Sequence, residues 1–576
     1  MELDEFLYNL HFDIDKVRPV SLEVDWEDAP LPFKLYQGLP HVHLSLDVPL
    51  SLPVDGGKAP DVKDVGDLCW YSYGLTQLCH ALPPFLGGGT GTGADAVETD
   101  AVGTDVDAAG LQHGQSMADP TMQLLRRYVP SGGGLYPSEL YVYLTLDRLV
   151  HGIYHYDVAH HRLVLLREGD FDAYLERALG HRIGIPKCFA TFFVSTMFWK
   201  NYYKYHDFSY RLQALDAGGL TGQLMEAARH VGYKSTVSFQ FLDRAVNHLI
   251  GLNDEEESVY AVISFSAEGN EAGIGQNSET AVMLPDEEVA AELCAELPPL
   301  KHRHFVKSKR IAKYPLLVRM NQASMNESTR SFGPLPKVWK NDEGEPKEDQ
   351  DFIAGTGEAL TRASGVHAPR PHTQKQVCLP RVDRLDYDFA AACRRRFSPG
   401  PDFVHGRLQL EKLSHLFAET AAALDERGIE SRVSMGVCVH GIDGLNDGAY
   451  IYDATAHTLK LVRAGDHRLR LQSGMSMPTV NFFHVPVCVH LIGCTDGFGD
   501  FGYRGYRLQQ LEVGMVLQRL LLTASALGMN GHPLLGYDES DCDDIYGIQS
   551  TGYTCLIEVP VGFYRKTSRF EGPLRV

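Results

Sequence analysis

At 576 residues the chain is too long for one ordinary core, and an apolar content of 44% is that of a folded globular protein, so two domains or more are expected. A formal net charge of -21 argues against nucleic acid as the main partner, because phosphate binding needs a concentrated basic surface. The start, Met1-Glu-Leu-Asp-Glu, carries acid where a secretory signal needs base, no apolar run is long enough to span a bilayer, and eleven cysteines form no C-x-x-C pair, which together point to a cytoplasmic protein with reduced thiols and no membrane partner.

Residues 1–60 read as an arm, with Asp25 to Pro40 too rich in proline for a long helix. Asp67 to Leu78 carries apolar residues at helical spacing. Residues 87–120 are glycine, alanine, threonine and aspartate, cannot bury enough apolar surface to offset chain entropy, and are read as a mobile insertion. Then comes Arg126-Arg127-Tyr-Val-Pro130-Ser131-Gly132-Gly133-Gly134-Leu135-Tyr136-Pro137, followed by an alternating β-branched and aromatic run. Three glycines let backbone approach a flat or anionic ligand, and the run after them predicts a buried strand. Gly152 to Leu166 reads as a hairpin and Pro186 to Phe198 as a further buried strand, leading to Trp199-Lys200-Asn-Tyr-Tyr-Lys204-Tyr205. From Tyr210 an amphipathic helix is expected, with Gly218 and Gly219 allowing close helix contact.

The chain then repeats itself. Gly448-Ala-Tyr450-Ile-Tyr452-Asp453 copies the first hairpin 296 residues on, Tyr506-Arg507-Leu copies Tyr210-Arg211-Leu at the same spacing, and Gly547 follows Gly251 by 296 as well. A constant offset across three landmarks predicts a tandem duplication: copy one over 61–300, a charged and proline-rich linker over 301–380, and copy two over 381–576. Copy two opens on Arg394-Arg395-Arg396-Phe397-Ser398 ahead of a helix near Leu408, which copy one lacks. It has lost the glycine triplet, offering Ser431-Arg432-Val-Ser434 instead, and Asp500 and Phe501 stand where Lys204 and Tyr205 would repeat. His41, His43, His160 and His161 lack a third ligand at helical spacing, so no metal site is read from them. Asp538 to Asp544 reads as a helix N-terminal region.

The proline-serine-glycine loop followed by a strand, the Lys204-Tyr205 to Tyr210-Arg211 string and the arginine-rich opening of copy two resemble the FMN-dependent nitroreductase superfamily, and within it the azoline dehydrogenase branch. The resemblance implies an α+β fold, a central mixed or antiparallel sheet flanked by helices, with the two tandem copies forming an intramolecular pseudo-dimer. It implies one composite FMN site, its symmetry mate decayed. Arg394, Arg396 and Ser398 would hold the phosphate end, Pro130, Ser131, Gly132 and Gly133 would line the ring, and Gly536, Arg565 and Lys566 are further candidates for the phosphate-binding side. Lys204 would be the base and Tyr205 its neighbour, although Tyr205 could hydrogen-bond substrate, tune the lysine or be a core aromatic. A lysine serves as base at neutral pH only if burial or a nearby cation lowers its pKa. The implied activity is oxidation of thiazolines or oxazolines in a ribosomally made precursor peptide, beside a cyclodehydratase. Another flavin nitro- or quinone reductase, or a flavin-free scaffold binding the peptide or a partner enzyme, are the alternatives. In the branch a similar arm precedes the catalytic domain, so the arm is expected to wrap rather than to serve the site.

Overall fold

The computed structural model describes residues 1–18, 24–49, 59–81, 122–267, 287–333, 376–425, 432–495, 498, 501–565 and 571–573. The 87–120 insertion, Ser431, Asp500 and Lys566 lie outside them. Two seven-stranded sheets share one topology. The first runs β1 (His41–His43), β6 (Arg162–Glu168), β5 (Gly152–Asp157), β4 (Ser138–Leu144), β7 (Ala190–Met197), β9 (Glu257–Ser266) and β8 (Lys234–Ser238). The second runs β10 (Gln376–Cys378), β15 (Thr458–Ala464), β14 (Gly448–Asp453), β12 (Val433–Val439), β16 (Val487–Cys494), β18 (Tyr553–Gly562) and β17 (Asn530–Gly531). Every adjacent pair in both sheets is antiparallel, and each sheet bulges at matching points, after Ile153 and Val194 in the first and after Ala449 and Leu491 in the second. Bulges placed alike in two sheets are part of a fold's specification rather than accidents. Helices cover the sheets, and the fold is α+β.

The copies meet along two long helices, Ser209–Val231 and Gly502–Ala526. They cross at equivalent glycines: a Cβ on Gly218 would collide with the Leu511 carbonyl, and one on Gly514 with the Leu215 carbonyl. Only glycine permits that approach. Around the crossing the contacts obey a pseudo-twofold. Tyr210 stacks on Tyr506, Arg211 of copy one pairs with Glu539 of copy two at 3.1 Å, and Arg507 of copy two pairs with Asp243 of copy one at 2.8 Å. Both arginines are fully buried, so each ion pair joins the halves where no water competes.

Two small sheets complete the weave. β2 (Gln77–Ala81) and β3 (Met122–Arg126) lead into the glycine loop, and β19 (Glu571–Pro573), from the far end of the chain, pairs with β2. β11 (Leu408–Gln409) pairs in parallel with β13 (Ile442–Asp443). The expected helices stand at Val62–Tyr73, where Gly74 ends the first before β2 begins, and at Leu410–Asp425. Asp538 caps the helix Glu539–Tyr546 by accepting from the Asp541 amide at 3.0 Å. The N-terminal arm differs from expectation in opening on a helix, Leu3–Phe12, which buries Phe6 and Leu10.

Candidate active site

The glycine loop is fastened from beneath. Gly133 and Gly134 have φ of 65° and 69°, a region open to glycine, and Tyr136 shares it at 48°. A tyrosine there is strained and needs restraint. Its amide donates to Ser131 Oγ at 2.8 Å, and its hydroxyl accepts the Arg127 amide at 3.1 Å. Arg127 is buried, stacked 3.7 Å from the Tyr73 ring centroid, and its guanidinium donates to the Tyr73 and Pro32 carbonyls. Buried Lys200 donates to the Tyr136 carbonyl at 3.4 Å and pairs with Glu139. Asp216, on the first long helix, closes the loop by accepting from Ser131 Oγ at 2.5 Å and from the Gly132 amide at 3.2 Å. Burial raises the Asp216 carboxyl to about 7 despite those two bonds.

Above the loop stand Lys204 and Tyr205, the last two residues of the helix Trp199–Tyr205. A Cβ on Gly132 would sit 2.8 Å from Leu212, and one on Gly133 would sit 2.8 Å from Lys204 Nζ and collide with the Tyr205 hydroxyl. The loop backbone is therefore pressed against the candidate base. Lys204 Nζ lies 4.9 Å from the Tyr205 ring centroid and 5.3 Å from that of Trp26. The Arg18 guanidinium lies 5.0 Å from the same Tyr205 centroid. Burial first, and the Arg18 charge second, lower the lysine to about 8, and among the described residues no carboxylate pairs with it. Burial pushes Tyr205 up to about 12, so its hydroxyl stays a donor at neutral pH. Neither Trp26 nor Arg18 was expected at the site. Both come from the arm, and no local pattern in the sequence announces them.

Copy two approaches from the other side. Arg396 donates through Nε to the Tyr128 carbonyl at 2.7 Å and through Nη2 to the Arg127 carbonyl at 3.4 Å. Its guanidinium thus ties the arginine segment to the loop's first residues, a use of the side chain that differs from a free phosphate donor. Arg394, at the end of the helix Phe389–Arg395, is exposed, and Ser398 is half-buried. Phe397 meets the Tyr564 ring edge-on at 4.8 Å and its amide donates to Asn530, while the Arg565 amide donates to the Asp402 carbonyl at 2.8 Å. Arg565 therefore shares a neighbourhood with Arg394 to Ser398. Gly536 is held by Ser476, whose amide donates to its carbonyl at 2.9 Å, and precedes the capping Asp538 by two residues.

At the positions offset by 296 residues the contacts differ. Glu512, the counterpart of Asp216, accepts the Arg432 amide at 3.0 Å and pairs with its guanidinium, which lies 5.0 Å over the Phe501 ring. Phe501 in turn presses on Gly333, where a Cβ would sit 2.8 Å from the ring. The Gly333 amide donates at 2.6 Å to Gln240, the residue that stands where copy two has Gly536.

Residues 94–265 match the profile of the Nitroreductase family. Over 200 residues the chain is 25% identical to MJ1384 of Methanocaldococcus jannaschii, designated a nitroreductase, a match that covers 32% of this chain and 96% of that protein. Over 144 residues it is 29% identical to the trifolitoxin-processing protein TfxB of Rhizobium leguminosarum bv. trifolii, 24% of this chain and 39% of that protein. A crystal structure from Anabaena variabilis ATCC 29413, described as a nitroreductase, matches 98% of this chain and 99% of its own at a TM-score of 0.66 and 18% identity. The matched segment thus belongs to a two-sheet, nitroreductase-like fold that another solved protein shares from end to end.

Proposed function

We propose that this chain is an FMN-dependent dehydrogenase that oxidises thiazolines or oxazolines of a ribosomally made peptide to the aromatic azoles, and that it arose as a fused, diverged dimer. The observation that carries the reading is Lys204: a lysine near 8, free of carboxylates among the described residues and pressed on a glycine loop, is set up to take a proton rather than to hold a structural ion pair. The likeness to a trifolitoxin-processing protein supplies the peptide context.

The residues present suit FMN. The loop at Gly134 offers open backbone, with nothing within 4 Å of where a Cβ would stand, and the exposed Arg394 and Arg565 offer cations on the copy-two side of that loop. Pro130 to Gly133 would lie along the ring, and Arg394, Ser398 and Arg565 would serve the phosphate, with Lys566 beside them in sequence. When bound, FMN supplies the two-electron acceptor for the hydride removed from the azoline ring. Lys204 Nζ takes the ring proton. Burial first and the Arg18 charge second make that nitrogen give up its proton more readily than an ordinary lysine, and the Tyr205 hydroxyl offers a hydrogen bond to the substrate. Arg396 and Asp216 hold the loop at its two ends so that this geometry is present before substrate arrives.

The test is the visible spectrum of the purified chain, with released flavin measured against protein, followed by incubation with a thiazoline-containing peptide under air. About one FMN per chain and loss of two hydrogens per ring by mass spectrometry are expected. Flavin reduction by a nicotinamide cofactor with no change in the peptide would favour the nitro- or quinone reductase reading, and a chain that stays colourless after FMN is added would favour the scaffold.

A further inference from the structure

The two sheets differ at one buried spot remote in sequence from the glycine loop. On β16, Cys488 and His490 are two residues apart and so face the same side, and His490 is in direct register with Glu558 on β18. All three are fully buried. At the same register the first sheet has Thr191, Phe193 and Val262, the packing an ordinary sheet core uses. Replacing that uncharged set by a thiol, an imidazole and a carboxylate costs stability unless the charge is matched. Within the protein it is matched poorly. Glu558 Oε1 meets His490 Nε2 at 3.2 Å, Oε2 has no hydrogen-bond partner, and no lysine or arginine is paired with it among the described residues.

We propose that Cys488, His490 and Glu558 bind a zinc-class divalent cation. Their ligand atoms lie within 4.8 Å of one another, with Cys488 Sγ 4.0 Å from His490 Nε2. Bonds of about 2.0–2.3 Å in a tetrahedral shell place ligand atoms roughly 3.3–3.7 Å apart, so small side-chain adjustments close the site. One thiolate and one carboxylate balance the two positive charges, leaving a neutral buried unit, and binding releases the thiol proton to solvent. The other ring nitrogen of His490 is 2.8 Å from the Tyr546 hydroxyl, the outer partner that orients a ligating imidazole. A neutral ligand completes the shell. The ion would pin β16 and β18 to the helix Glu539–Tyr546 through the Tyr546 hydroxyl.

The full-length chain, purified without chelator, should carry about one zinc ion by plasma mass spectrometry, and chelator-stripped chain should regain it from zinc chloride. Cobalt(II) in its place should give a thiolate charge-transfer band in the near ultraviolet that Cys488→Ser abolishes. The triple variant Cys488→Thr, His490→Phe, Glu558→Val installs the first sheet's residues and should fold, by far-ultraviolet circular dichroism, with at least tenfold less metal. X-ray absorption at the zinc edge of the wild-type chain needs no variant and should show sulfur among the ligands. A shell of nitrogen and oxygen alone, or under about a tenth of an ion per chain after zinc exposure, overturns the proposal and leaves the Glu558 carboxyl simply hydrogen-bonded to His490. Metal content unchanged in the triple variant overturns it equally.

Discussion

Two places in this molecule, related by the 296-residue offset, are built differently. At the first, Asp216 grips the Ser131 hydroxyl and the Gly132 amide, and the space above the loop is edged by Lys204 and Tyr205. At the second, Glu512 grips Arg432, whose side chain fills the corresponding space beneath Phe501, with Gly333 pressed on the far side. The supporting carboxylate survives in both. Each also accepts a backbone amide, and what differs is the side-chain partner: a short serine hydroxyl at the first place, a long arginine side chain at the second. Either partner satisfies the buried acid, so the fold tolerates both arrangements.

The largest expected effect separates the two places directly. Lys204→Ala should lower azoline oxidation by about 10²–10⁴-fold while FMN stays bound, since the lysine is asked only for proton transfer. Turnover and flavin content measured on the same preparation check this, and loss of flavin in step with turnover would recast Lys204 as a structural residue. Gly133→Ala should act on binding instead. A side chain at φ 65° is strained by about 1–2 kcal/mol, and its Cβ meets Lys204 Nζ and the Tyr205 hydroxyl, so flavin occupancy should fall before stability does. Equilibrium dialysis with FMN reads it.

Next comes the plugged mate. Arg432→Ala should leave flavin stoichiometry and turnover near wild type yet destabilise the chain by about 1–3 kcal/mol, because buried Glu512 then loses the guanidinium that matches its charge. Chemical denaturation checks the stability. A second flavin per chain in this variant would show that the plug alone keeps the mate closed.

Much of this contrast is legible in the amino-acid sequence. The 296-residue offset rests on residues that the fold needs in both copies, among them Gly152 and Gly448 at the hairpin strands and the Tyr210-Arg211 and Tyr506-Arg507 pairs at the crossing helices. The apolar and aromatic run after Pro137 marks β4 because that strand is buried on both faces. Less legible is whatever arrives from far along the chain. Trp26 and Arg18 meet Lys204 across nearly two hundred residues, Arg396 reaches carbonyls at 127 and 128, and β19 pairs with β2 across most of the chain. Periodicity reports a face, not the partner that covers it. For the same reason Cys488, His490 and Glu558 look ordinary in sequence, since their proximity is a property of strand register.

Two titrations sharpen the comparison at its finest level. Turnover should rise with pH through an apparent pKa of about 8 as Lys204 loses its proton, and Arg18→Ala should move that midpoint to higher pH, since one of the two causes lowering it is the Arg18 charge. Asp216 gives the smaller effect, and its sign runs the other way. Its folded pKa, raised to about 7 from an ordinary 3.8, means that the folded chain binds a proton which the unfolded chain has already released between those values. That contribution to stability is fully present below pH 3.8 and is lost as pH rises through 7. Asp216→Asn copies the protonated acid, with an oxygen for the Gly132 amide and a nitrogen that donates to Ser131 Oγ, so the variant should lose less stability than wild type between pH 4 and 7 while keeping the loop closed. Denaturant midpoints measured across that range decide it: parallel curves for the two proteins would mean that Asp216 is ionised throughout, and that the open site and its plugged mate rest on the same charged support.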